Sequence, residues 1–401
     1  MKAMAQVAID RTAGSTQPYA QTAERRVQPR SRPLSVMHVL YALQPGGMEF
    51  GVVKVVNGMD PTRVRSSICS TVPAVDRMKS FVSPSVPIFE LRRRPGNDPR
   101  LVWELYRLFT RERPDVVHTH AWGTLIEGLV AARMARVPVV VHGEHGTLQL
   151  RGYQTRLQRW MWGRADRVLS VSLRLAERMS ASTGFPHHRI TTIQNGVDLS
   201  RFSPLLREAS RRELGVDAGT VVIGTAGRLV PVKDHDNLLD AVALMRQEGV
   251  RVTTLIAGEG PLKDAVQSRI AALGLTDSVR LIGQRADIER VFAALDVFVL
   301  SSKSEGMSNT MLEAMASGAA IVGTRVGAAD ELVEHGRTGL LVPREQPAAL
   351  AAALTQLVEN PSLREQMAAA ARVKAHAEFG LARMLRDYDA FYAGLVEKRE
   401  R

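Results

Sequence analysis

Ser35-Val36-Met37-His38-Val39-Leu40 reads as a buried strand, Gln44-Pro45-Gly46-Gly47 as the turn that ends it, and residues 49–59 as the helix that follows. A strand, a glycine turn and a helix in that order open a nucleotide-binding α/β half. Outward from it, strand-like runs recur at 66–71, 86–89, 115–118, 137–142 and 168–171, with helical patterns between them, as at 101–111 and 124–134. Such alternation predicts a parallel sheet covered by helices on both faces.

Asn195-Gly196-Val197-Asp198 reads as a turn and hinge, after which a second alternating series begins. Its strands are expected at 221–224, 252–257, 279–281, 297–300, 320–323 and 339–341. Its helices fit 235–247, 262–273, 288–294 and 308–316, and 347–398 is nearly all helical. The predicted organisation is a basic disordered tail (1–32), an α/β domain (33–195), a second α/β domain (196–380) and a last helix crossing back to the first domain (381–401). Two open sheets in tandem put the ligand in the cleft between them, beyond the carboxyl ends of the strands.

The length of 401 residues accommodates two such domains. A single cysteine, Cys69, excludes an intramolecular disulfide and suggests a reducing compartment. No apolar run approaches the ~18 residues of a membrane span, and the first 32 residues lack the apolar centre of a secretory signal, so a cytoplasmic location is expected. Charge is lopsided. Residues 1–195 hold 28 Lys and Arg against 14 Asp and Glu, net +14, whereas residues 196–401 are at −2. A basic half suits an anionic lipid or a phosphorylated acceptor; no zinc-ligand spacing, basic zipper or aromatic RNA-binding motif supports nucleic acid.

The densest chemical signal is Ser304-Glu305-Gly306-Met307-Ser308-Asn309-Thr310-Met311-Leu312-Glu313. A strand ends at Leu300, a polar loop follows, and Ser308 or Asn309 can cap the next helix. The exposed amides of that helix start form an anion site. Glu305 before it and Glu313 inside it can grip hydroxyls on either side of a bound phosphate. Gly224-Thr225-Ala226-Gly227-Arg228-Leu229-Val230-Pro231-Val232-Lys233 also links a strand to a helix, and Arg228 and Lys233 offer two cations for a diphosphate. Gly46-Gly47 opens the first domain where backbone and ligand meet. His142-Gly143-Glu144-His145-Gly146 puts two histidines at a strand end. His118-Thr119-His120 ends another strand and reads as inert. Asp234-His235-Asp236 fits helix capping, and Asp387-Tyr388-Asp389 lies within a helix, so no metal is assigned.

Glu305 and Glu313, with the motif around them, resemble the Glu-x7-Glu signature of glycosyltransferase family 4, of GT-B fold. The resemblance extends over roughly residues 35–395. Gly46-Gly47-Met48-Glu49 is similar to the family's Gly-Gly loop. Arg113-Pro114-Asp115-Val116-Val117-His118 is similar to one of its strands, Asn195-Gly196-Val197-Asp198 to its interdomain segment, and Arg228 with Lys233 to its cationic pair. Ala257-Gly258-Glu259-Gly260-Pro261-Leu262 and Leu281-Ile282-Gly283-Gln284-Arg285 resemble its second-domain loops. The His142–Gly146 motif and Arg93-Arg94-Pro95-Gly96-Asn97-Asp98-Pro99 resemble the subgroup tied to exopolysaccharide and export loci.

The resemblance implies two Rossmann-like domains facing across a cleft, the first for the acceptor and the second for a UDP- or GDP-sugar. It implies that Glu305 binds the donor sugar, Glu313 the ribose, and Arg228 and Lys233 the diphosphate. Ile282 and Arg285 would lie near the base, and Ser308, Asn309 and Thr310 near the phosphate. A histidine at the end of the first-domain strand, His145 or His142, would contact the sugar near the reacting carbon. Transfer would retain anomeric configuration, need no metal or other cofactor, and build an exopolysaccharide or glycoconjugate on a lipid-linked or glycan acceptor. Trp160, Met161 and Trp162 among Arg151, Arg156, Arg159, Arg164 and Arg167 read either as a patch for an anionic membrane or as a solvated face over core tryptophans. Competing readings are a GT-B enzyme that is not a transferase, such as a nucleotide-sugar epimerase, and a non-catalytic scaffold for polysaccharide assembly. A dinucleotide-dependent oxidoreductase lacks its Gly-x-Gly-x-x-Gly after the opening strand.

Overall fold

A computed structural model describes residues 32–95, 98–146, 148, 152–217 and 219–401. The expected tail up to residue 31, and Gly96, Asn97 and Arg151 of the quoted motifs, lie outside the described residues. Arg32, assigned by sequence to the tail, instead forms a two-point pair with Asp115 at 2.7 and 2.8 Å, and the same carboxylate accepts from the Ser35 amide.

The first sheet contains β1 (Leu34–Leu40), β2 (Val64–Ser70), β3 (Ile88–Glu90), β4 (Val116–His120), β5 (Val139–Glu144), β6 (Arg167–Ser170) and β7 (Ile190–Thr192), in the order β3-β2-β1-β4-β5-β6-β7 and parallel throughout. The second contains β8 (Val222–Ala226), β9 (Thr253–Ala257), β10 (Val279–Gly283), β11 (Val297–Leu300), β12 (Ala320–Thr324) and β13 (Leu340–Val342), in the order β10-β9-β8-β11-β12-β13. Strand order reverses beside β1 in one sheet and β8 in the other, and a crevice opens at each reversal. Central strands read as continuous apolar runs because helices cover both faces. In β5, Val139, Val140 and Val141 are all buried.

β7 was missed: its three residues at a sheet edge carry two threonines and no apolar run. β4 and β5 each continue two residues beyond the expected ends, which brings His120 and Glu144 inside the sheet beside His118 and His142. The helical C-terminal stretch is three helices, Pro347–Glu359, Pro361–Glu378 and Leu381–Glu400. Asn360-Pro361 separates the first two. Proline is tolerated at a helix start, and the Asn360 side chain accepts from the Leu363 amide.

Helix Leu381–Glu400 packs on the first sheet. Tyr388, Phe391, Tyr392 and Val396 share one buried cluster with Leu34, Val36, Val116, Val139 and Val141. Where it begins, it also holds the interdomain strand. The Val197 amide donates to Phe379 O at 2.8 Å, and Leu381 N donates to Val197 O at 2.9 Å. Across the cleft, Gln194 and the amides of Leu173 and Arg174 converge on the Glu331 carboxylate. No helix among the described residues is long and apolar enough to cross a membrane.

Candidate functional site

Beyond Leu300 the chain leaves the second sheet through Ser301 and Ser302, both buried. Ser301 Oγ donates to the Lys233 carbonyl at 2.9 Å, which ties this loop to the turn at Pro231–Lys233. The Glu305 carboxylate accepts from Ser302 Oγ at 2.7 Å and from Lys233 Nζ at 2.6 Å. Glu305 and Lys233 are thus one preset ion pair at the carboxyl edge of the sheet. The next helix, Asn309–Ala316, is capped by Ser308, whose Oγ accepts from the Met311 amide at 3.2 Å. Thr310 Oγ1 sits 3.1 Å from that hydroxyl.

The first domain reaches this helix directly. Asn309 Nδ2 donates to the Gly47 carbonyl at 2.9 Å, and Glu313 pairs with Lys54 at 2.9 Å. Gly46 and Gly47 occupy the cap and first position of helix Gly47–Gly58, and Lys54 lies two turns along it. Gly306 shows why a side chain is forbidden in the loop: a Cβ there would overlap the His145 carbonyl oxygen. The two domains therefore touch backbone to backbone beside Glu305.

Arg228 is exposed and has no hydrogen-bond partner among the described residues. A buried carboxylate, Glu49, lies within its electrostatic reach. Burial raises the Glu49 carboxyl above its ordinary value, against its own backbone amide and Arg228, which lower it. Arg285 is bound by two contacts to Asp287, at 2.8 and 2.6 Å, so its guanidinium is already occupied, and Ile282 packs against the large core cluster. Asp234 corrects the capping expectation: it stands at the start of helix His235–Gln247 in a left-handed conformation, caps no amide, and pairs with Lys303 instead.

The two candidate histidines part company. His142 is fully buried, its Nδ1 2.9 Å from Thr119 Oγ1 and its Nε2 3.0 Å from Glu144 Oε1. With both ring nitrogens engaged inside the sheet, His142 does not reach the cleft, which corrects its place among the candidates. Strand β5 extends past it and carries the chain to His145, which is half-buried beside Gly306. Sequence reasoning passed over Lys54, Glu49 and the histidines behind His145. Only the Gly-Gly-Met-Glu spelling and the repeated strand-end histidines signalled them.

The surface patch is split. Trp162 and Met161 are core residues, whereas Trp160 is exposed with the Arg164 guanidinium 3.3 Å above its ring. Asp387 and Asp389 pair with Arg383 and Arg63 and present no carboxylate cluster.

Profiles of known families match both domains: "Glycosyltransferase Family 4" over residues 45–201 and "Glycosyl transferases group 1" over residues 207–374. A D-inositol 3-phosphate glycosyltransferase of Pseudarthrobacter chlorophenolicus is 32% identical over 302 residues, covering 70% of this chain and 72% of that protein. An Escherichia coli UDP-Gal:alpha-D-GlcNAc-diphosphoundecaprenol alpha-1,3-galactosyltransferase is 28% identical over 288 residues, covering 69% of each. Among solved structures, Anabaena Alr3699/HepE in complex with UDP and glucose shares the fold, with a TM-score of 0.78 at 23% identity over 88% of this chain and 98% of that one.

Proposed function

This chain belongs to the family 4 glycosyltransferases, with the GT-B pair of Rossmann-like domains, and from that premise we propose that it transfers a sugar, with retention, from a UDP- or GDP-sugar to a lipid-linked or glycan acceptor in exopolysaccharide or glycoconjugate synthesis. The observation that carries this reading is the ion pair of Lys233 with Glu305 beside the start of helix Asn309–Ala316, facing His145 across the cleft. Lys233, Arg228 and the helix amides supply positive charge where a diphosphate departs. That charge takes the part a divalent metal plays in other transferases, so no metal is required. Glu305 orients the sugar hydroxyls, Glu313 the ribose, and Ser308, Asn309 and Thr310 the phosphate. Ile282 and Arg285 flank the base, with Gly46 and Gly47 closing over the diphosphate.

In the reaction the bond from the anomeric carbon to the β-phosphate oxygen breaks, and the acceptor oxygen bonds to that carbon from the same face. The acceptor proton passes to the departing phosphate oxygen, so no side-chain base is needed. The backbone contact of Gly306 with His145 excludes water from the sugar, which limits donor hydrolysis. The names of the relatives support an acceptor that carries phosphate or a lipid diphosphate, and the +14 charge of residues 1–195 is consistent with it. Exposed Trp160 and Tyr153, beside Arg156, Arg159 and Arg164, support docking on an anionic inner-membrane surface.

Thermal melting against a panel of UDP-, GDP- and ADP-sugars, with and without chelator, tests the donor reading. Stabilisation by a UDP- or GDP-sugar in chelator is the expected result. A stabilisation that needs divalent cation removes the metal-independent mechanism, and no stabilisation by any donor removes the site. Flotation with anionic vesicles at low salt tests the membrane surface, and protein left at the bottom of the gradient rejects it.

A further inference from the structure

Behind His145 the first domain buries a line of imidazoles. His120 Nδ1 lies 3.0 Å from His145 Nε2, and His120 Nε2 lies 3.0 Å from His38 Nδ1. The His38 and His120 ring planes lie only 14° apart, edge to edge, with centroids 5.3 Å apart. His38 Nε2 is buried and has no hydrogen-bond partner among the described residues. His145 Nδ1 has none either among the described residues, but its residue is half-buried at the cleft. The backbone is shaped to this chain: a Cβ on Gly143 would stand 2.8 Å from His118 Nε2 and 3.4 Å from both His120 Nδ1 and His145 Nε2.

We propose that His120 and His38 are positioning residues, and that the buried chain His38–His120–His145 holds His145 in the tautomer whose Nδ1 carries the proton and donates it as a hydrogen bond into the cleft. The inference deepens the sugar-transfer reading and rests on it for the role of His145. A neutral imidazole has one donor and one acceptor nitrogen. Two consecutive contacts between such rings therefore allow only two proton arrangements, and both rings beyond His120 follow its choice. In one, every N–H points from His38 toward the cleft and His145 Nδ1–H is the open end. In the other, every N–H points inward and His38 is left with an unpartnered N–H in the core.

Two considerations select the first. By analogy with the backbone, a buried N–H without an acceptor is rarer in folded proteins than an acceptor left short of a donor. A donor sugar diphosphate in the cleft also places negative charge in front of His145, which favours an N–H over a lone pair there. The neutrality that the argument needs follows from burial, which pushes His38 and His145 down to about 3 and His118 and His120 well below their ordinary value. The repulsion of neighbouring imidazolium charges adds to it.

Ring-nitrogen NMR of the ¹⁵N-histidine-labelled full chain, with and without UDP, reads the tautomer directly. The expected wild-type spectrum has the His145 proton on Nδ1, and in His120→Leu it moves to Nε2. Transfer kinetics should follow. His120→Leu lowers kcat by about 100-fold, the cost of a lost transition-state donor, with donor KM nearly unchanged. His120→Asn, whose Nδ2–H stands in for the imidazole Nδ1–H, recovers most of that loss. A wild-type proton on Nε2 overturns the proposal, as does an equal loss in His120→Leu and His120→Asn. So does one tightly bound transition metal per chain, since ring nitrogens of His38, His118 and His120 lie within 4.8 Å of one another. His145→Ala is the separate arm: unimpaired transfer there would sink the role of His145 in chemistry while the spectrum still decides the relay.

Discussion

The first domain brings four imidazoles that burial keeps neutral to the carboxyl ends of its strands; the second brings Lys233, Arg228, Glu305 and Glu313 to the ends of its own. Apart from Lys54, which pairs with Glu313, and Glu49, the first-domain wall is built on neutral rings, whereas the other wall carries the phosphate-facing cations. A leaving diphosphate needs fixed cations, which are cheap to keep at a sheet edge where Glu305 and water share their field. A sugar ring needs aimed hydrogen bonds without a counter-charge, which neutral imidazoles provide. Each domain is therefore specialised by which groups it allows to ionise.

The sharpest way to break this comparison is Lys233→Ala. If the second domain carries the charge stabilisation, kcat falls by about 10²–10³-fold, and Glu305 loses its partner in the same stroke. Steady-state transfer with donor in excess measures it. A loss confined to KM would mean that Lys233 only binds, and the contrast between the walls would dissolve.

Acid stability separates the domains next. For the first-domain histidines the folded pKa lies below the unfolded one, from 6.5 down to about 3 for His38 and His145. Between those values the unfolded chain binds more protons, so stability is present above about pH 6.5 and drains away as pH falls. The slope approaches about 1.4 kcal/mol per pH unit for each such histidine. His235, shifted to about 4 by burial and Lys233, is the second domain's share. Melting from pH 7.5 to pH 5 should steepen below pH 6.5, and His38→Leu should flatten it more than His235→Leu. Equal flattening would place the acid-sensitive element elsewhere.

Much of this architecture was legible in the chain. β1, its glycine turn and the helix after it were readable because apolar runs and glycines are local signals. So were β11, the Ser308 cap and helix Asn309–Ala316, and Glu305 and Lys233 fell within the same local pattern. What escaped was set by tertiary packing. His118 and His120 read as inert because nothing nearby in sequence says that His38, 80 residues earlier in register, lies opposite His118 in the adjoining strand. His142 and His145 could not be ranked until β5 proved to run through Glu144. Lys54 carried no local signal, since its partner Glu313 belongs to the other domain.

That cross-domain pair gives a smaller test. Lys54→Met removes the partner that holds Glu313, both side chains being mostly buried. Donor KM should rise about fivefold, ~1 kcal/mol of lost orientation, while kcat holds within about twofold. A fall in kcat alone would assign Lys54 to closure of the cleft and not to the ribose.

The smallest effect concerns Glu49, a carboxylate that the first domain sets against the cations. Glu49 is buried at the start of helix Gly47–Gly58, where helix amides would otherwise face an incoming phosphate. Its folded pKa is raised, chiefly by burial, with Arg228 opposing. A raised carboxyl contributes stability below its unfolded value and loses it as pH rises through the folded one. At neutral pH the ionised group therefore strains the fold and competes with phosphate for Arg228. Glu49→Gln should raise the melting temperature at pH 8, with the gain shrinking toward pH 4.5, and should tighten UDP binding modestly in calorimetry. If the variant melts lower at pH 8 and binds UDP more weakly, Glu49 is a structural partner of Arg228, and the division of labour between the two walls fails at this position.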